Sequence, residues 1–182
     1  MDATVDCLVE LGWSGTTTTI VAQRAGVSRG AQLHHYPTRT DLVVAAVEHL
    51  GAARFAEARA AAAALPFGPE RTRAVLDMLA ELHTGPLFRA ALELWVAARS
   101  DPDLRAVVVP LEAEVGRDTH RLTVELLGAD ETRPGVRAAI QQTLDMVRGL
   151  GISALLTDDS ARRSAMLDDW ARQLDTRLGG RP

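Results

Sequence analysis

Apolar side chains recur along this chain at intervals of three and four residues, and no stretch alternates with a period of two. The first such face joins Thr4, Cys7, Leu8 and Leu11, which predicts a helix over residues 2–11 ended by Gly12. Two short helices are predicted between Thr16 and Arg39. Thr17 is placed to cap the first, because its hydroxyl reaches a free backbone N–H of the opening turn. Ala22 is small enough for the two helices to cross closely, and Gly26 can take the left-handed conformation of a tight turn at Ala25-Gly26-Val27. Ser28 caps the second helix and Pro37 stops it.

Thr38 and Asp41 then form a variant capping box at the head of a long helix. Its stripe is Val43, Ala46, Val47 and Leu50, and it continues in alanine toward Leu65. Pro66-Phe67-Gly68-Pro69 is the strongest break in the chain. Further stripes follow at Val75, Met78, Leu79 and Leu82, and at Phe88, Ala91, Leu92 and Trp95, separated by Gly85-Pro86. Ser100 or Asp101 caps a helix with Pro102 in its first turn, where a missing N–H costs little. That helix runs to Gly128, and Pro110 inside it should kink it or split it in two. Val136, Ile140, Leu144 and Val147 mark the next, running through Gly149 and Gly151 to Leu156. Asp158-Asp159-Ser160 caps a last helix striped by Leu167, Trp170, Ala171, Leu174 and Leu178 and closed by Gly179-Gly180. The pattern predicts an all-α architecture of about nine helices. The domain boundary falls inside the long helix, giving residues 1–50 and 51–182, because a rigid connection transmits a rotation where a floppy one cannot.

Composition narrows the picture without redirecting it. Alanine fills much of the 47% apolar share and aromatics make up 4%, which suits close helix packing. All the positive charge is arginine, a bias that genome composition explains. The single cysteine, Cys7, excludes an internal disulfide, sits on a buried face and fits a reducing cytoplasm. No signal peptide or long uncharged apolar run is present, so export and membrane insertion are not expected.

Charge does change the picture locally. The formal net charge is −4, yet Thr16 to Arg39 holds Arg24, Arg29 and Arg39 and no acid. Helix, glycine turn, helix, with local positive charge, is the layout that lays a recognition helix in the DNA major groove. The competing reading is a solvated surface helix.

The run TTTTIVAQRAGVSRGAQLHHYPTRTDLVVAAV resembles the DNA-binding domain of the tetracycline-repressor (TetR) family of bacterial regulators. The matching features are the threonine-rich start, Ala25-Gly26-Val27-Ser28, Tyr36-Pro37, Arg39 and the apolar helix that follows. The resemblance implies a three-helix DNA-binding domain over 1–50, joined by a long helix to a helical ligand-binding and dimerisation domain over 51–182. It implies a homodimeric repressor on a palindromic double-stranded DNA operator, released by a small-molecule effector, cytoplasmic, with no cofactor and no enzymatic activity. Thr19, Arg29, Gly30 and Leu33 match base-reading positions. Arg29 can fork onto guanine O6 and N7, and Leu33 offers an apolar surface to a thymine methyl. Thr17, Thr18, Ser28, His34 and Arg39 fall to phosphate contacts, which set register without carrying sequence information. The chain departs from the family pattern in two ways. It begins almost inside its first helix, without a basic arm, and it carries Gln32 where the family is usually apolar and Leu33 where an aromatic is usual. Gln32 either replaces a core side chain or turns outward toward DNA.

Adjacent His34 and His35 point about a hundred degrees apart on a helix, too divergent to ligate one ion, so no metal site is expected. His83, Phe88, Leu92, Trp95, Val96, Arg99 and His120 can line a small-molecule pocket, or simply form core. Leu144, Val147, Gly151, Leu155, Leu167, Trp170 and Leu174, on the last two helices, suit the dimer interface that the resemblance implies, or ordinary packing within one chain. An all-α small-molecule binder that does not read DNA is the alternative, since residues 1–50 are net acidic. No nucleophile–base pair or phosphate loop favours an enzyme.

Overall fold

The computed structural model describes residues 1–68 and 70–179, and among them there are nine α-helices and no strand. In chain order these are α1 (Asp2–Gly15), α2 (Thr18–Ala25), α3 (Arg29–His35), α4 (Arg39–Ala61), α5 (Glu70–Leu82), α6 (Pro86–Ala98), α7 (Pro102–Leu127), α8 (Val136–Ser153) and α9 (Ser160–Leu178). A 3-10 turn, Ala62–Ala64, extends α4. The expected breaks at Pro69 and Gly180 lie outside the described residues. Two compact units emerge: Met1–Arg54 with Gly85–Val115, and Phe55–Thr84 with the chain from Gly116 onward.

The first unit is built on α1 packed against α6. Val5 and Leu8 of α1, Val43, Ala46 and Val47 of α4, Ala90, Leu94 and Ala98 of α6, and Leu104 and Val108 of α7 form one buried cluster. The alanines keep helix backbones close, and each fully buried leucine contributes about 1.5–3 kcal/mol. A smaller cluster of Cys7, Val21 and Leu42, with Tyr36 against it, holds α2 and the end of α3 to the head. The helix break expected at Gly12 is present, though helical turns resume beyond it to Gly15. Gly12 has φ 67° and ψ −179°, a conformation open to glycine, and a Cβ there would lie 3.1 Å from Glu93 Oε2 on α6. Thr4, Cys7 and Leu8 are buried as their spacing predicts, but Leu11, next to the break, is 43% exposed.

In the second unit α5 packs on α8 and α9. The core joins Leu76 and Leu79 of α5, Leu122 and Leu126 of α7, Ile140 and Val147 of α8, and Leu167 and Leu174 of α9. Thr123 and Thr143, both buried, donate their hydroxyls to the carbonyl four residues earlier. Thr143 donates to the Ala139 carbonyl at 2.8 Å and accepts from Trp170 Nε1 at 2.9 Å. Pro110 does not split α7, which continues as one helix to Leu127. Asp101 is the side chain that caps α7, its carboxylate accepting from Asp103 N and Leu104 N at 3.1 and 3.0 Å. At α9 the N-cap residue, Asp159, makes no side-chain capping bond, while Asp158 just before it accepts from Ser160 N at 3.0 Å, a bond that holds its carboxyl below the ordinary pKa. Asp159 instead pairs with Arg162 and Arg163.

Candidate nucleic-acid interface

The threonines after α1 set up the helix-turn-helix. Thr16 is fully buried, and its hydroxyl donates to the Gly12 carbonyl at 2.8 Å, turning the chain out of the first helix. Thr17 then caps α2, its Oγ1 accepting from Ile20 N at 3.2 Å. Only Val21 and Ala22 of α2 are buried, as a two-turn helix lying over a small core requires. Gly26 closes α2 in the left-handed conformation (φ 68°, ψ 24°), with Val27 N bonded to the Ala22 carbonyl at 3.0 Å. Ser28 caps α3 by accepting from Ala31 N at 3.2 Å. The capping box at α4 is complete. Asp41 accepts from Thr38 N at 3.0 Å, and Thr38 Oγ1 accepts from Asp41 N at 3.1 Å.

These caps leave a defined set of side chains on the outside. Thr17, Thr19, Ser28, Arg29, Gly30 and His34 are exposed, while Thr18 and Leu33 are half-buried. Arg29 and Leu33 are four residues apart on α3 and therefore share a side of it. Both capping hydroxyls accept from the backbone, so their protons remain available for a phosphate oxygen. His34 and His35 meet edge-on with ring centroids 5.3 Å apart. Arg24 makes a 2.6 Å ion pair with Glu10 of α1.

Two residues are placed in ways the sequence does not reveal. The Arg39 guanidinium lies over the Trp13 ring, its Cζ 3.9 Å from the centroid, and Nη1 donates to the Trp13 carbonyl at 3.0 Å. A second donation reaches the Thr16 carbonyl at 3.5 Å, so Arg39 fastens the start of α4 to the end of α1 before any phosphate is considered. Gln32 takes the inward alternative. It is 7% exposed, and neither Oε1 nor Nε2 has a hydrogen-bond partner. Leaving such a group unsatisfied costs about 1–3 kcal/mol.

The expected pocket residues divide between the units. On α6, Phe88 is buried and meets Trp95 edge-to-face with centroids 6.1 Å apart, and Leu92 is half-buried. Val96 is 67% exposed and Arg99 is also exposed, so both stand outside the core of their unit. His83, in the second unit, is buried with Nδ1 2.8 Å from the Leu79 carbonyl, and desolvation lowers its pKa. His120, also in the second unit, places Nε2 2.7 Å from Glu131 Oε1 and Nδ1 2.8 Å from Gln141 Nε2. An open cleft of about 410 Å³ that the sequence did not point to is lined by Thr84, residues 154–158 and Arg163.

On the last two helices, packing within one chain accounts for most of the interface candidates. Leu144, Val147, Leu167 and Leu174 are buried in the second unit's own core, and Gly151 is buried on α8, so none has surface to offer a second copy. Leu155 is 44% exposed, and Trp170 is half-buried beneath Arg177, whose Cζ is 4.9 Å from the ring. Gly149 is exposed, with nothing within 4 Å of where a Cβ would stand. No helix among the described residues is long and apolar enough to cross a membrane.

Comparison with known proteins bears on the same segment. Residues 1–46 match the family model described as bacterial regulatory proteins, tetR family. The chain is 32% identical over 166 residues to the HTH-type transcriptional regulator CymR of Pseudomonas putida, covering 88% of this chain and 79% of that one. A solved member of the TetR family from Streptomyces coelicolor A3 superposes with a TM-score of 0.68 at 27% identity, over 97% of this chain and 94% of the other. The multidrug binding protein EbrR, solved in complex with imidazole, gives 0.63 at 26% identity over 100% and 93%.

Proposed function

The chain belongs to the TetR family of DNA-binding transcriptional regulators, and from that premise we propose that it is a cytoplasmic homodimeric repressor, without enzymatic activity, that leaves a palindromic operator when a small molecule binds. The observation that carries this reading is the capped α2–turn–α3 unit, which presents Arg29 and Thr19 to solvent on a head whose backbone ends are satisfied.

In this reading Arg29 forks onto a guanine, Leu33 meets a thymine methyl, and Thr19 and the bare backbone at Gly30 lie close to base edges. Thr17, Thr18, Ser28 and His34 donate to phosphates, and Arg39 does so with whatever N–H its bonds to Trp13 and Thr16 leave. One short recognition helix carries few base contacts, which argues for two copies on one operator. The helices α8 and α9 are our candidates for the dimer face, with Leu155, just past the end of α8, and the half-buried Trp170 among the side chains still accessible.

Residues 1–50 serve DNA and residues 51–182 serve ligand and dimer, a division by role. EbrR holds a small molecule in its solved complex. We assign effector sensing in this chain to α6, through Phe88, Leu92 and Trp95. Only a ligand's differential affinity for the two states moves the equilibrium, and about 3 kcal/mol of it weakens DNA binding about a hundredfold.

A gel-shift series with the DNA upstream of the chain's own gene tests the proposal. Tight binding that weakens steeply with salt is expected. Binding no stronger than to unrelated duplex at every salt concentration overturns it in favour of a ligand binder that does not read DNA.

A further inference from the structure

We propose that Gln32 is a specificity-determining residue of the operator contact, which leaves its buried position on DNA and pairs with an adenine. The inference rests on the DNA-binding reading above and adds a residue that the inward-facing geometry conceals.

Gln32 is 7% exposed, and both of its side-chain polar atoms are sealed from solvent without a partner. A glutamine amide offers two donors and an acceptor, and here all of them go unmet. Around it the local polar groups are satisfied. Thr16, Thr17, Ser28, Thr38 and Asp41 all make the bonds their positions call for. The unmet amide is therefore an exception within a well-capped head, and no hydrogen bond holds it inside.

Gln32 follows Arg29 by three positions and precedes Leu33, so it flanks the side of the helix that those two residues share. Rotation about its first torsion moves the amide toward that flank without altering the backbone. Adenine displays N7 as acceptor and N6–H as donor in the major groove, and a glutamine amide matches both at once. The exchange replaces a buried group with no bonds by one with two. In the free protein the residue is a defect of the head; on DNA it becomes a reader.

The test uses the full-length chain and a library of random duplexes. Wild-type protein selects its preferred site, and affinities are then measured for that site and for every single base-pair variant of it, at one salt concentration. Gln32→Met and Gln32→Leu, which keep the volume and remove the amide, are measured beside wild type, with thermal melts of all three. Two results are expected together: both variants melt higher than wild type, and both lose roughly tenfold or more of its discrimination at one A·T pair per half-site while keeping the rest. Retention of every wild-type base preference by the variants overturns the proposal and leaves Gln32 an internal defect. Lower melting of both variants also overturns it, since the amide would then be partnered in the free protein. Wild type that enriches no sequence removes the DNA-binding reading itself, and this inference with it.

Discussion

Arg39 sits over the indole of Trp13, 26 positions earlier in the chain, and donates to the same residue's carbonyl oxygen. One side chain thus binds a ring face and a helix-end acceptor together. Arg39→Ala is expected to lower the stability of the head by about 1–2 kcal/mol, from the cation–π contact and a charge-assisted hydrogen bond at a half-buried site. It should also weaken binding to all duplexes alike. Arg39→Lys restores charge but not the planar guanidinium, so thermal melting should separate it from wild type even where gel shifts do not.

Arg29 is exposed and opens the recognition helix. Arg29→Ala should leave the melting temperature unchanged, weaken operator binding by about 1–3 kcal/mol and relax preference at one base pair. Competition gel shifts with singly substituted operators read this directly. Wild-type selectivity in the mutant would mean that α3 docks in another orientation.

Ser28 has two jobs that one substitution can separate. Ser28→Gly keeps most of the N-cap preference, whereas Ser28→Ala loses about 1 kcal/mol of it. Both remove the hydroxyl that would donate to phosphate. The expected outcome is equal loss of DNA affinity in the two variants, with lower stability in the alanine variant alone, measured by urea unfolding.

Gly12 sits at φ 67° and ψ −179°, where a side chain is strained, and faces Glu93 across the α1–α6 contact. Gly12→Ala should destabilise the protein by about 1–3 kcal/mol. Denaturant midpoints test this, and an unchanged midpoint would mean that the break tolerates an ordinary residue.

Burial holds His83 below its ordinary pKa of 6.5. Below that pH the unfolded chain takes up a proton that the folded chain refuses. Stability is therefore complete above about pH 6.5 and falls as the pH drops toward the folded-state pKa, with a slope of at most about 1.4 kcal/mol per pH unit. His83→Gln should flatten that part of the stability curve, as followed by urea titrations at stepped pH.

The sequence carried the head well because its signals are local. Thr17, Gly26, Ser28 and the Thr38–Asp41 pair each act within three or four residues, and each makes the bond its position implies. Gly12 announced its break for the same reason. Long-range placement was less legible. Nothing in the spacing of Arg39 points to Trp13, and nothing in the stripe of α6 says that it packs on α1. Periodicity also shows that Leu144, Val147, Leu167 and Leu174 face something apolar without saying whose surface it is. Of the kink or split that the sequence rule expects at Pro110, the split does not occur, because α7 is continuous through it.

In the proposed function, the shared core of α1 and α6 would shorten the path between an effector beside α6 and the operator. Leu94 and Ala98 rest in the same cluster as Val5 and Leu8, and Glu93 reaches the bend at Gly12, whose carbonyl anchors the Thr16 hydroxyl just ahead of α2. A molecule seated beside α6, as proposed, would then press on the footing of the reading head sideways, through side chains of one cluster. News of its arrival need not climb the connector helix at all.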